Sequence, residues 1–238
     1  MKLVHLSYSR KNDQDNPREW LSKLNFFVGV LESTTAFAQV KSVHCISYQG
    51  IIAMNGVEYH FLKLNKWQLL LPWTLHSYIK RNINPDAIII HGLIFPFQTI
   101  MLRWQLGSRI KIVCQHHAER PFINLRRYIQ RWADNYIDAY LFCSIEQGMQ
   151  WVRENQIKDA GKIKEVMGTS SVFKVIDRDI AMRRTKVNAG TNYLWVGRLD
   201  NNKDPFTLVK SFLRFQKNHT TARLYMIYHT FELEDVVK

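Results

Sequence analysis

The feature that most constrains this chain is a recurring unit: a short, mostly β-branched segment, then a polar junction, then an amphipathic stretch. The segments lie at 3–6, 40–47, 87–90, 110–114, 139–143, 163–167, 193–196 and 223–228. Most read as strands buried on both faces, which need no alternation of polar and apolar residues. Helical periodicity falls between them, over 18–31, 67–81, 123–136, 145–155 and 205–218. Ser144 and Gln147 have the spacing of a capping box at the start of one such helix. Strands alternating with crossover helices imply an α/β fold with a Rossmann-like, doubly wound parallel sheet.

The polar stretch 173–191, with Asn188-Ala189-Gly190-Thr191 as a loop, interrupts this rhythm before a fresh strand–helix–strand cycle. The expected organisation is a first domain over 1–187 and the start of a second Rossmann-like domain over 188–238. That second part is short for a doubly wound domain and is expected to be incomplete at Lys238.

Thirty-three Lys and Arg oppose twenty Asp and Glu, a net charge of +13 that favours anionic partners. Cys45, Cys114 and Cys143 are odd in number and lie in apolar stretches, so a disulfide framework is not expected and a reducing compartment fits. No basic leader with an apolar core opens the chain, and the longest uncharged run, 87–102, is too short to span a bilayer. A cytoplasmic protein is expected.

In open α/β sheets, ligands bind beyond the carboxyl ends of the strands. The residues there are Ser7 to Arg10, then His91-Gly92, then Gln115-His116-His117 with Glu119, then Gly197-Arg198. One histidine at a strand end is ordinarily structural, but two strand ends bearing histidines point to a site. An imidazole can hydrogen-bond a hydroxyl or handle a proton near neutral pH. Adjacent residues on an extended chain face opposite ways, so His116 and His117 cannot both enter one metal site. No His-Glu-x-x-His or Cys-x-x-Cys pattern occurs, and no metal is expected. The phosphate loops of triphosphatases and dinucleotide enzymes, and the G-x-S-x-G elbow of hydrolases, are missing too.

The strongest local pattern is Trp195-Val196-Gly197-Arg198-Leu199-Asp200-Asn201-Asn202-Lys203-Asp204-Pro205. Glycine admits a ligand to the backbone, and a guanidinium grips phosphate oxygens. The lysine adds charge beside a helix N-terminus that already favours anions. Together they outline a diphosphate clamp.

This pattern resembles that of the retaining glycosyltransferases of family four, which have the two-domain GT-B architecture. The resemblance extends to the strand ending in His91-Gly92, the strand followed by His116-His117, and Gly168-Thr169-Ser170-Ser171. It implies that Gly197, Arg198 and Lys203 hold the diphosphate of a nucleotide-sugar donor. By the same resemblance His117 acts at the transferring sugar, and His91, His116 and Ser7 contact sugar or acceptor. Asp204 stands where the family usually has glycine, and Ser7 to Asp13 replace a glycine-rich loop. The implied chemistry is sugar transfer with retention to a saccharide or lipid-linked acceptor in bacterial surface-polysaccharide or lipopolysaccharide synthesis, with no metal or other cofactor. The family's paired-glutamate motif and nucleoside pocket are expected beyond Lys238, which would leave this chain alone inactive.

From Arg103 to Arg131 seven basic residues face one acid, Glu119. Leu125, Tyr128, Ile129, Trp132 and Tyr136 form a helical stripe opposite Arg126, Arg127 and Arg131. Such a helix either packs on a core with a solvated basic face or docks on an anionic membrane, here the inner face of the cell membrane. No specific nucleic-acid motif is present. Two other readings stand beside the enzyme: an acceptor- or membrane-binding fragment without a donor half, able to pair as a homodimer, and a basic nucleic-acid-binding α/β protein.

Overall fold

Runs such as Ala87-Ile88-Ile89-Ile90 and Ile112-Val113-Cys114 carry almost nothing polar and can only be satisfied at the centre of a covered sheet, where a computed structural model places them. It describes residues 1–171, 173–187, 190–230 and 232–237. In chain order the elements are β1 (Lys2–Lys11), α1 (Pro17–Lys23), α2 (Asn25–Thr34), β2 (Gln39–Ile46), β3 (Gly50–Met54), β4 (Val57–Leu62), α3 (Lys66–Leu70), α4 (Trp73–Tyr78), β5 (Ala87–His91), α5 (Pro96–Leu106), β6 (Lys111–Gln115), α6 (Arg126–Ala133), β7 (Ala139–Phe142), α7 (Ile145–Arg153), β8 (Ile163–Glu165), α8 (Arg178–Thr185), β9 (Asn192–Val196), α9 (Pro205–Gln216), β10 (Arg223–Ile227) and α10 (Glu234–Val237).

The chain divides into two units, Met1–Val172 and Phe173–Lys238. The expected boundary at 187/188 falls inside the second. The cause is α8: Asp177 accepts from the amides of Asp179 and Ile180 at 3.0 and 3.1 Å, so the polar stretch winds into a capped helix. Asn188 and Ala189 of the expected loop lie outside the described residues, as does Val172.

In the first unit the strand order is β3-β4-β2-β1-β5-β6-β7-β8, parallel throughout except for the antiparallel β3/β4 pair. The chain moves one way from β1 to β2 and the other way from β5 to β8. Right-handed crossovers therefore put α1 and α2 on one face and α3 to α7 on the other. Two cores result, one holding Leu21, Phe27 and Leu31, the other Leu75, Ile100, Ala133 and Trp151. The Rossmann-like α/β architecture is the one expected.

Several elements depart from expectation. β1 continues well past Leu6, because Tyr8 is buried and bonded to His76 at 2.7 Å. The strand resumes pairing with β2 at Arg10 after a register shift. The β3–β4 hairpin was not expected; Asn55 and Gly56, both at positive φ (51° and 81°), make its turn. The helical stretch 18–31 breaks at Leu24, and 67–81 breaks at Pro72, which has no amide hydrogen to continue a helix. α5 was also not expected. Only half of the Ser144 capping box forms: Ser144 Oγ accepts from the Gln147 amide at 3.4 Å, whereas Gln147 Oε1 is buried and unbonded.

The second unit pairs β9 with β10 in parallel, with Asn192 opposite Arg223. Leu199, Pro205 and Ala222 are buried there, but Leu194 and Val196 are each 65% exposed.

Five histidines are buried in the first unit: His5, His44, His60, His76 and His116. Burial, aided by His44, pushes His5 down to about 3; burial alone takes His44 to about 4. His76 is pushed down to about 3 by burial, and His60 is lowered by burial against the opposing pull of Glu58. His5, His44 and His76 stay neutral in the fold down to about these values but charge at about pH 6.5 once unfolded. Their contribution is complete above pH 6.5 and is lost as pH falls towards the folded values, each costing about 1.4 kcal/mol per pH unit. The melting temperature should be flat from pH 8 to 7 and fall steeply from 6.5 to 4.5 by circular dichroism. A melting temperature unchanged at pH 5 would contradict this account.

Candidate functional site

The strand order reverses between β1 and β5, the place where an open parallel sheet leaves a crevice at its carboxyl edge. A cavity of about 490 Å³ opens there. Trp20, Phe26 and Phe27 form its apolar wall, and His5, Ser7, His44, His91, His117 and Glu119 supply its polar groups.

The centre of the site is a row of three imidazoles. His5, inside β1, lies 3.1 Å from His91 (Nδ1 to Nε2), and His91 lies 3.0 Å from His117 (Nδ1 to Nε2). The rings stack with centroids 5.3 Å apart at both steps, and Phe27 meets His91 edge-on at 4.6 Å. The row runs from core to solvent: His5 is buried, His91 half-buried and His117 exposed. Burial lowers His91 well below the ordinary histidine range, and neighbouring His5, His117 and His44 add to this. His117 is lowered chiefly by burial, which outweighs the opposing Glu119. The row is therefore neutral at pH 7.

A second short chain flanks it. Trp20 Nε1 donates to His44 Nδ1 at 3.3 Å, so His44 carries its proton on Nε2 and donates to Ser42 Oγ at 2.8 Å.

Glu119 holds the cavity's mouth. One carboxylate oxygen accepts from the His117 amide at 2.6 Å, the other from the Leu93 amide at 3.2 Å, tying the loop after β6 to the loop after β5. Between His117 and Glu119, Ala118 sits at φ +66°, a left-handed conformation costly for a residue with a side chain. Gly92, at φ +98°, closes the other loop, where an added Cβ would lie 2.9 Å from Glu119 Oε1.

The histidines at adjacent positions part as an extended chain requires. His117 lines the cavity; His116 turns into the core, stacks on Phe142 at 4.6 Å and donates from Nε2 to the Glu119 carbonyl at 2.8 Å. His116 does not line the cavity with His91, His117 and Ser7. His5 and His44 escaped the sequence reading because they lie within strands. Their signal was there, since a histidine between apolar neighbours in a buried strand needs a partner. Ser170, from the Gly168–Ser171 stretch, packs back on α2, its amide donating to the Phe26 carbonyl at 2.5 Å.

Gly197, Arg198 and Lys203 lie in the second unit, on one strand–turn–helix. Arg198 Nε pairs with Asp200 at 3.2 Å, and Asp200 also accepts from the Lys203 amide at 3.2 Å. Asp204 takes φ +42° and caps α9 by accepting from the Thr207 amide at 3.3 Å. Aspartate tolerates left-handed backbone better than most residues, so Asp204 keeps the conformation that a glycine would serve there. At Gly197 an added Cβ would lie 3.0 Å from the Trp195 ring, so packing within the unit already calls for glycine. Among the described residues no cluster of metal-ligating side chains occurs.

No family model and no curated protein matches the chain. Solved structures do. Sucrose-phosphate synthase from Thermosynechococcus elongatus is 12% identical with a TM-score of 0.62, over 94% of this chain and 61% of its own. The lipopolysaccharide outer core galactosyltransferase WaaB, in its apo form, is 15% identical with a TM-score of 0.54, over 99% and 70%. UDP-GlcNAc 2-epimerase from Neisseria meningitidis, bound to UDP-GlcNAc, is 12% identical with a TM-score of 0.56, over 100% and 68%. The chain thus spans roughly two-thirds of these structures, 61% in the first. At such identities the likeness establishes the fold, which is Rossmann-like and GT-B-related.

Replacing Gly92 by alanine should strain the backbone and push Glu119 from its two amides, at a cost of about 1–3 kcal/mol. The urea midpoint reads this directly, and a midpoint equal to the parent's would refute the clamp.

Proposed function

We propose that this chain is part of a retaining glycosyltransferase of family four, one that moves a sugar from a nucleotide donor to a saccharide or lipid-linked acceptor in bacterial surface-polysaccharide synthesis. The observation that carries this is the cavity at the β1/β5 reversal, with His91 and His117 at its polar edge and an apolar wall opposite. A sugar offers the same pairing of hydroxyls and apolar ring faces. The solved structures with this fold include enzymes named for nucleotide-sugar or sugar-phosphate chemistry, which supports the reading.

In this reading Arg198 and Lys203 hold the donor diphosphate. Because Arg198 Nε is engaged by Asp200, the Nη groups are its donors for an anion. Charge grows on the leaving diphosphate as the glycosidic bond breaks, so contacts that strengthen at that moment lower the barrier. His117 holds the transferring sugar, while His91 and Ser7 border the same space. No metal is needed for these roles.

Calorimetric titration with UDP, GDP and ADP in EDTA tests the reading. One nucleotide should bind, and Arg198→Ala should abolish that binding; in an active, longer form it should lower turnover by roughly 100-fold. No binding of any nucleotide by a form that also carries the nucleoside pocket would overturn the reading and leave an acceptor- or membrane-binding module. A 2-epimer of the donor as product, instead of a glycoside, would overturn it too.

We further propose that the protein works on the inner face of the cell membrane, seated through the layer α3 to α6. These four helices contain no acidic residue, and Lys66, Arg126, Arg127 and Arg131 are exposed on them. Trp67, Trp73, Trp104 and Trp132 are 45 to 63% exposed there, and Trp104 and Trp132 touch edge-on. Tryptophan beside basic residues suits the headgroup level of an anionic bilayer better than nucleic acid. No described helix is long and apolar enough to cross a membrane. Vesicles containing phosphatidylglycerol should sediment the protein, and reversing Arg126 and Arg127 to glutamate should weaken binding at least about tenfold. Equal binding to neutral vesicles, or no effect of the reversal, would refute the seat.

A further inference from the structure

Three neutral imidazoles in a row must agree on where their protons lie. Each ring-to-ring hydrogen bond needs one N–H and one lone pair, so two patterns exist: every ring carries its proton on Nδ1, or every ring carries it on Nε2. The inner end decides between them. Nε2 of His5 is buried and has no hydrogen-bond partner among the described residues, in a side chain only 3% exposed. The Nε2–H pattern would strand a donor there. A bare lone pair is better tolerated than an unpaired N–H, and this favours the Nδ1–H pattern.

With the proton of His5 on Nδ1, it donates to His91 Nε2, so His91 is protonated on Nδ1 and donates to His117 Nε2. His117 then carries its own proton on Nδ1, the ring nitrogen that His91 does not engage. Among the described residues Glu119 makes no hydrogen bond to the His117 ring; its oxygens accept from the backbone amides of His117 and Leu93. We propose that His5 and His91 are positioning residues that lock His117 in its Nδ1–H tautomer, so that the cavity meets a hydrogen-bond donor there and no basic nitrogen. For His117 to offer a bare Nδ1 to a ligand, every ring of the row would have to be in its Nε2–H form, which leaves an unpaired N–H on His5. A neutral donor suits an oxygen acceptor such as a sugar hydroxyl or a phosphate oxygen. Only this last use rests on the nucleotide-sugar reading; the tautomer does not.

The test is two-bond proton–nitrogen NMR on the full chain labelled with 15N-histidine, recorded at pH 7 without nucleotide. His117 should show a protonated Nδ1 and a bare Nε2. His91→Phe cuts the row, and His117 should then revert mainly to Nε2–H, the form an unconstrained histidine favours in water. His91→Asn, whose amide can donate in place of the lost Nδ1–H, should restore Nδ1–H on His117. A parent spectrum with His117 mainly in the Nε2–H form overturns the proposal, and so does a tautomer that His91→Phe leaves unchanged. The parent spectrum alone decides if the phenylalanine variant does not fold. A locked Nδ1–H tautomer, with no nucleotide bound by a form that also carries the nucleoside pocket, would keep this inference and remove the functional reading.

Discussion

The reversal of strand order between β1 and β5 determines where everything polar in the first unit can go. Right-handed crossovers running in opposite directions place successive helices on opposite faces, so no connection covers the carboxyl ends of these two strands. The chain fills the gap with imidazoles. They are small enough for a strand interior and can take or give a hydrogen bond at two places, without the charge that a carboxylate or amine would bring into a low-dielectric crevice.

Neutrality comes from the surroundings. His5 and His44 lie between apolar strands, and their desolvation outweighs what an added charge would gain. The two short chains are polarised from different ends. At His44 an indole, which can only donate, places the proton on Nε2; at His5 burial without a hydrogen-bond partner among the described residues keeps Nε2 bare. Orientation in this site is thus imposed from behind, by Trp20 and the core around His5. The strained turn at Ala118 is imposed in the same way, because the carboxylate of Glu119 replaces two backbone bonds that the loops cannot make to each other.

How much of this was legible in the sequence depends on how local its cause is. β5 and β6 are stretches that cannot be anything but central strands, and Pro205 beside Asp204 marks a helix start. The opposite fates of His116 and His117 follow from strand geometry alone, although which of them enters the cavity does not. The β3–β4 hairpin was signalled by Asn55-Gly56, but β3 is a short edge strand with no buried residue, while β4 is largely buried and lacks a polar alternation. The break at Leu24 comes from tertiary packing: it lets Leu21 and Phe27 reach one core from two helix axes. The partnership of His5 with His91 is set by register, with β1 and β5 side by side across eighty-six positions of sequence, and no local pattern carries that.

The helix α6 shows the same limit from the other side. Its period separates an apolar stripe from Arg126, Arg127 and Arg131, and the simplest expectation buries the stripe. Instead the helix buries Gln130 and Ala133, while Leu125, Tyr128 and Trp132 are 79, 56 and 45% exposed. Gln130 can be buried because its amide donates to Tyr140 Oη at 3.3 Å, and Tyr140 in turn donates to Asp134 at 3.0 Å. This polar chain satisfies the buried face, and the stripe is divided: Ile129 and Tyr136 pack on the core while Leu125, Tyr128 and Trp132 face outward. Exposing such area in water costs roughly 25 cal/mol for each Å² left unburied. The membrane seat proposed above would give these exposed side chains a use, and a surface of tryptophan and arginine with no acid among its helices is the observation that favours it.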